Sequence, residues 1–359
     1  LLRSVAFIKF RQTMKVSVVK RAIGAARPRF KAKAPSIPQP EFVPPMQAKL
    51  VRDLPQGDDW IYEIKWDGYR IEALKHGDEV RLISRNEKNH TAAFPQIRDA
   101  VAGINAHTAV LDGEIVALDD RGRPSFEMLQ HRTALASHNR LVYFAFDLLN
   151  LNGKDLCNLP LDVRKKELAK LVAGARVQLS ADLEGDPAVI IEAIKGVDLE
   201  GLVAKRCDSR YEPANRSGAW VKVQFKRQQE FVIGGYKPDG NSFSSIAAGY
   251  YDNGKLMFAG KVRAGFNPYS RRELLNLMQP LKTSHCGFAD LPSGKTSHWG
   301  EGMTAEQMAE MQWLKPKLVC QVRFTEWTRD AHLRHADYLG LRTDKKPEDV
   351  VREHPSSGV

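Results

Sequence analysis

Residues 60–70 read Trp60-Ile61-Tyr62-Glu63-Ile64-Lys65-Trp66-Asp67-Gly68-Tyr69-Arg70, and no other stretch restricts the possible folds as much. Trp60, Tyr62 and Ile64 fall on one face and Ile61, Glu63 and Lys65 on the other, as a half-buried strand requires. Glu63 and Lys65 therefore point into the same space. A glycine turn comes next, with a lysine, a carboxylate and an arginine around it, which is the layout of a covalent nucleotide site. Four fixed residue types at roughly 5–7% each recur by chance in about one chain in a few hundred of this length. Taken alone, Lys-x-Asp-Gly reads equally well as a charged surface hairpin, so the assignment depends on whether the other parts of such a site occur, in order, further along the chain.

A chain of 359 residues exceeds the size at which single cores usually stop growing, so two domains are expected. No apolar run approaches the ~20 residues of a membrane span, and no membrane association is expected. Cys157, Cys207, Cys286 and Cys320 are scattered without metal-like pairing, which favours free thiols in a reducing compartment. The formal charge of +11 is uneven: residues 1–40 hold ten Lys or Arg and no acid, leaving about +1 for the remainder. Any basic groove in the body must therefore come from segregation of charge.

Residues 1–45 join this basicity to the proline-rich Ala34-Pro35-Ser36-Ile37-Pro38-Gln39-Pro40 and Pro44-Pro45, an arm and linker by composition. Such an arm can add phosphate contacts. A targeting peptide, or sequence upstream of a start at Met14, fits the same composition. Beyond it, strands are expected at 71–75, 80–84, 110–118, 142–149, 201–206 and 219–225. Helices are expected at 94–102, after Asp162, and after Asp186 with Pro187 at the first position. The absence of a regular βαβ repeat favours an α+β domain over a doubly wound one. After Arg227 the texture shifts to short strands, Glu230–Tyr236, Ile246–Tyr251, Leu256–Val262 and Val319–Trp327, with one clear helix at 270–279 begun by a Ser270/Glu273 capping box. That pattern predicts a small β-barrel.

The chemistry-bearing residues are dispersed. Lys65 is the candidate nucleophile, yet at pH 7 only about one ordinary lysine in a few thousand is deprotonated, so burial or nearby cations such as Arg70 and a divalent metal must favour the amine. Asp112-Gly113-Glu114 puts a carboxylate at a strand end. Phe144 and Phe146 share a strand face, as core or as a base platform. Glu200-Gly201-Leu202-Val203-Ala204-Lys205 adds an acid and a base, and Trp220, Lys222 and Gln224 share another strand face.

In this order the segments resemble the motifs of ATP-dependent DNA ligases, within the covalent nucleotidyltransferase superfamily. Glu63–Arg70 resembles the first motif, Ser84-Arg85-Asn86 the next and Asp112-Gly113-Glu114 the third. Phe146-Asp147, Glu200–Lys205, Lys222-Val223-Gln224 and the closing Arg342-Thr343-Asp344-Lys345 come after them. The resemblance covers about residues 41–350 and is nearest to bacterial ligases of the end-joining, ligase D-like type, through Gln229–Tyr236, Phe324–Arg329 and His332–His335.

The resemblance implies an adenylation (nucleotidyltransferase) domain at 46–228, an OB-fold domain at 229–350 and a C-terminal tail at 351–359. It implies a three-step reaction in which Lys65 takes AMP from ATP, passes it to the 5′-phosphate of a nick, and the 3′-hydroxyl displaces it. Such chemistry needs mainly positioning and charge neutralisation. Glu63 would accept from the adenine amino group, with Ile64 beside it and Phe146 stacked on the ring. Arg70 and Arg85 would hold ribose or 5′-phosphate, Glu114 ribose or metal, Glu200 metal and Lys222 the α-phosphate, with Lys205 as a further cation. Arg342 and Lys345 would orient the leaving pyrophosphate from a barrel that closes over ATP. Magnesium, or manganese, suits these oxygen ligands.

One departure is Gln224, where the family commonly has a second lysine; Lys226, on the same strand face, is the candidate substitute. The partners implied are nicked double-stranded DNA and a Ku-type end-binding protein with separate end-processing enzymes. The setting implied is a monomer in the bacterial cytoplasm near the nucleoid, in DNA repair or end joining. An RNA ligase, a capping-type guanylyltransferase and a non-catalytic DNA-binding relative are the alternatives.

Overall fold

The computed structural model describes residues 38–130, 141–195, 199–225, 227–291, 296–297 and 300–353. The basic arm through residue 37, Lys226 and the end of the tail lie outside the described residues. The N-terminal part is built on two sheets. One has the strand order Lys49–Leu50, Trp220–Gln224, Gly201–Arg206, Trp60–Lys65. The other runs Glu79–Ser84, Tyr69–His76, Thr108–Ala117, Leu141–Leu151 and Lys154–Asp155, with Gln178–Leu179 parallel to Leu141–Leu151.

Strand alternation sorts the side chains of these sheets into layers. In Tyr69–His76 and Thr108–Ala117 the residues Tyr69, Ile71, Ala73, Ala109, Leu111 and Ile115 enter a core shared with the helices Pro95–Ala102 and Leu161–Val172. Leu74 and Val110 face the other way, into a layer that also takes Ile61 and Trp220 from the first sheet. The registered pair Arg70↔Glu114 follows the same phase as Leu74 and Val110, so both point between the sheets. In the first sheet Tyr62, Trp60 and Ile64 pack with Ile190 and Ile194 of the helix Pro187–Lys195, leaving Glu63 and Lys65 on the opposite face. Gly68 makes the crossing between the sheets possible, since a Cβ there would collide with the Ile115 carbonyl oxygen.

The C-terminal part is an antiparallel sheet in the order Lys255–Val262, Ser242–Asp252, Gln228–Asp239, Gln312–Arg323, the last also pairing with Lys282–Thr283 and Asp337–Leu341. A bridge between Ala264 and Asp337 joins the far edges and closes the sheet into the expected barrel. At this closure Gly265 has φ +85°, and a Cβ would collide with the Tyr338 backbone.

Three local features depart from expectation. The helix expected at 270–279 is Pro268–Met278, capped by Asn267, whose side chain accepts from Ser270 N at 2.8 Å while Ser270 Oγ accepts from Asn267 N at 3.0 Å. Pro268 at the first position starts it before Ser270. The strand expected at Val319–Trp327 begins at Gln312 and ends at Arg323. Pro316 is accommodated because pairing with the neighbouring strand is interrupted between Trp313 and Leu318. A second helix, Ala305–Ala309, lies outside the expected set and is started by a Thr304/Gln307 capping box. Among the described residues no helix is long and apolar enough to cross a membrane.

Candidate functional site

The two sheets and the barrel enclose one deep cavity, and all twelve residues expected at the site line it: Glu63, Ile64, Lys65, Arg70, Arg85, Glu114, Phe146, Glu200, Lys205, Lys222, Arg342 and Lys345. Its floor is the first sheet. Lys65 pairs in register with Gly201, which brings Lys65 Nζ into contact with Glu200. Burial pushes the Lys65 ammonium down, but the Glu200 carboxylate, with Asp67 and Glu114 nearby, outweighs it and holds the pKa above the ordinary lysine value. Arg70 is committed elsewhere: its Nε and Nη2 grip Asp112 at 3.0 and 2.6 Å, its Nη1 donates to Met46 O at 2.6 Å, and Tyr211 Oη donates to the same carboxylate at 2.7 Å.

Gln224 also turns toward the floor, donating from Nε2 to Glu200 Oε1 at 3.3 Å. Burial and the neighbouring Glu200 raise the Asp67 carboxyl to about 6, while Gln228 reaches it from the barrel at 3.3 Å. Glu114 is different. Its side chain forms no hydrogen bond or ion pair among the described residues, and burial raises its pKa to about 8 against the pull of Arg342 and Lys65.

Glu63 is buried at the inner end of the cavity, where Oε1 meets Lys165 Nζ at 2.6 Å and Lys205 Nζ at 3.0 Å. Burial raises its pKa, but the two lysines reverse this and leave it below the ordinary range. Lys205 Nζ lies 4.4 Å from the Phe146 ring centre and 4.3 Å from that of Trp220, so Phe146 stands beside a cation as well as the cavity. Phe144 does not join it, stacking instead on Trp66 with centroids 3.7 Å apart.

The barrel supplies the roof. Arg342 Nε and Nη2 hold Asp344 at 2.9 and 2.8 Å, Lys345 Nζ is 3.0 Å from Glu230 Oε1, and the Arg342 guanidinium lies 5.1 Å from the Phe126 ring centre of the N-terminal part. Arg85 is half-buried, 4.0 Å from Asp349. Lys222 Nζ is held by Glu353 at 2.9 and 3.1 Å, and Glu353 N donates to Gln229 Oε1 at 3.2 Å. Val351 and Glu353, expected in the tail, thus line the site.

Sequence reading missed Lys165, Tyr211, Glu230 and Glu353. A signal existed for Lys165: Leu161, Arg164, Lys165, Leu168 and Val172 fall at helical spacing on one buried stripe, an unusual place for charges unless paired. Arg164 there holds Asp147 through two 2.8 Å bonds. Glu353 carried no such signal, because its partner is 131 residues away.

Residues 45–224 match the family model described as ATP dependent DNA ligase domain, and residues 239–345 the one described as ATP dependent DNA ligase C terminal region. The chain is 33% identical over 345 residues to the multifunctional non-homologous end joining protein LigD of Pseudomonas aeruginosa, covering 93% of this chain and 40% of that protein. It is 32% identical over 334 residues to DNA ligase C1 of Mycolicibacterium smegmatis, covering 86% of this chain and 92% of the relative. A mycobacterial DNA ligase D structure, complexed with ATP and MES, superposes with TM-score 0.63 at 35% identity, over 87% of this chain and 98% of that one. The chain spans about 40% of the length of the multifunctional end-joining relatives.

Proposed function

The chain belongs to the ATP-dependent DNA ligase family, with an adenylation domain followed by an OB-fold domain, and on that premise we propose that it seals 5′-phosphate/3′-hydroxyl nicks through AMP carried on Lys65. The observation that carries this reading is the convergence of Lys65 and the other motif residues, from separate strands of both sheets and from the barrel, on one cavity. In the first step the neutral Lys65 amine attacks the ATP α-phosphorus, a P–N bond forms, and the bond to pyrophosphate breaks. In the second a 5′-phosphate oxygen of DNA attacks that phosphorus and lysine leaves. In the third the 3′-hydroxyl attacks the 5′-phosphate and AMP departs.

Glu63 and Phe146 border the inner end and suit the adenine, with one Glu63 oxygen held by Lys165 and Lys205. Lys222 suits the α-phosphate once Glu353 withdraws, and Arg342 and Lys345 suit the leaving pyrophosphate from the roof. Arg70, braced by Asp112, and Arg85 suit ribose or the DNA phosphate. Before attack Lys65 must shed a proton that Glu200 holds in place.

Among the described residues no three acidic, His or Cys side chains gather as a metal centre. Glu114, whose side chain forms no hydrogen bond or ion pair among the described residues, and Glu200 line the cavity and offer oxygen donors that fit magnesium or manganese when nucleotide phosphates complete the set. A cation there would neutralise the acids that keep Lys65 protonated. End-joining repair, with a Ku-type partner, is the setting supported by the likeness to multifunctional end-joining proteins; we place it in the bacterial cytoplasm, acting as a monomer.

The test is incubation with α-labelled ATP and magnesium. Wild type acquires covalent label, Lys65→Ala acquires none, and labelled GTP gives none with either. A folded wild type that stays unlabelled would overturn the reading, and labelling by GTP would redirect it to a capping-type enzyme.

A further inference from the structure

The turn after the strand Glu79–Ser84 is closed by its own backbone, with Glu87 N donating to Ser84 O at 2.8 Å and Ser84 N to Lys88 O at 2.9 Å. Glu87 takes φ 60°, a left-handed conformation uncommon outside glycine. Two side chains of this turn reach the barrel. Asn86, 8% exposed, donates from Nδ2 to Asp344 O at 2.7 Å, and Lys88 donates from Nζ to Thr343 O at 2.7 Å. Both acceptors are main-chain carbonyls, and they lie between Arg342 and Lys345.

We propose that Asn86 and Lys88 are positioning residues that dock the Arg342–Lys345 segment over the cavity for transfer of AMP to Lys65. The proposal rests on the roof reading of Arg342 and Lys345 given above. Its logic is in what is gripped. Holding the carbonyls of 343 and 344 fixes the root of the Arg342–Asp344 fork, so the guanidinium is aimed without engaging the atoms it needs for phosphate. Hydrogen bonds of this kind are individually modest, so the dock can release when DNA must approach. A step that needs the docked state slows in proportion to the docked fraction, while steps run with the roof withdrawn do not.

The test separates the steps in the full chain. Self-adenylation is timed with labelled ATP at saturating concentration, and sealing is timed on a nick already carrying 5′-AMP. Asn86→Ala and the similarly sized Asn86→Asp, which lacks the donor, each slow adenylation about tenfold. Lys88→Ala, at an exposed site, slows it about threefold, and Lys88→Arg restores it. All keep sealing of the adenylated nick and the unfolding temperature near wild type.

Arg342→Ala runs alongside. If it stops adenylation while the Asn86→Ala/Lys88→Ala double variant stays within about twofold of wild type, a change below one modest hydrogen bond, the docking role is wrong and the roof reading survives. If Arg342→Ala also adenylates normally, both fall. Equal loss of both steps in the Asn86 and Lys88 variants, or loss that tracks a lower unfolding temperature, also overturns the docking role.

Discussion

Lys65 and Arg342 line the same cavity but are held in different ways. Lys65 ends a strand whose six residues are each paired in register with Gly201–Arg206, which in turn pairs with Trp220–Gln224. Glu63, Lys65, Glu200 and Lys222 are therefore spaced by backbone ladders. Arg342 and Lys345 follow the last barrel strand, and their connections to the N-terminal part run through side chains: Asn86 to Asp344 O, Lys88 to Thr343 O, Arg85 toward Asp349. The lesson is a division of labour. Floor groups are set by cooperative sheet bonding, whereas the roof groups sit on side-chain contacts weak enough to break singly.

The variant that tests this division with the largest effect is Arg342→Ala. Its loss should slow self-adenylation by about 10²–10³-fold, the scale of removing one charge-stabilising donor, while sealing of a pre-adenylated nick persists. Comparable losses in both reactions would erase the distinction between floor and roof.

A smaller effect is expected at Glu353, where the roof side reaches into the floor. Lys222 and nearby positive charge hold this carboxyl below the ordinary glutamate range although it is buried, so it stays an anion competing with phosphate. Glu353→Gln should lower the ATP concentration for half-maximal adenylation about fivefold, by raising the fraction of chains with Lys222 available. A raised requirement would mean that Glu353 assists binding.

The smallest effect lies in the second sheet, on the strand that carries Arg70. Burial and the neighbouring Asp112 raise the Glu72 carboxyl from 4.5 to about 9, one oxygen accepting from Val43 N at 3.0 Å and the other without a hydrogen bond. Between those values the folded chain binds a proton that the unfolded chain does not, so stability falls as pH rises through that window. The Glu72→Gln variant escapes this loss. Its unfolding temperature should exceed wild type by more at about pH 8 than at about pH 5, and an equal difference at the two would reject the raised carboxyl.

Much of the floor was legible because its information is local. The alternation at 60–65 placed Glu63 and Lys65 on one face, and the helix at Pro95–Ala102, with its proline in the first turn, and the strand Gly201–Arg206 appear close to where local pattern put them. Errors arose where one residue sends two signals. Ser270 fits a capping box with Glu273, but Asn267 and Pro268 offer an earlier start that the fold uses. Lys165 reads as a solvated helix lysine until the helix is packed and the charge needs Glu63.

By itself the sequence determined the family, the α+β and barrel character, and the set of residues that converge on the cavity, because periodicity, turn chemistry and motif order are written along the chain. Tertiary structure alone decided the pairing of charges. Arg70 goes to Asp112, Glu353 to Lys222 and Glu200 to Lys65. Electrostatic attraction falls with distance in space and rises with loss of water, and neither quantity can be read from separation along a chain. That is why Lys65 could be singled out as the candidate nucleophile from its surroundings in sequence, while its ion pair with Glu200 could not.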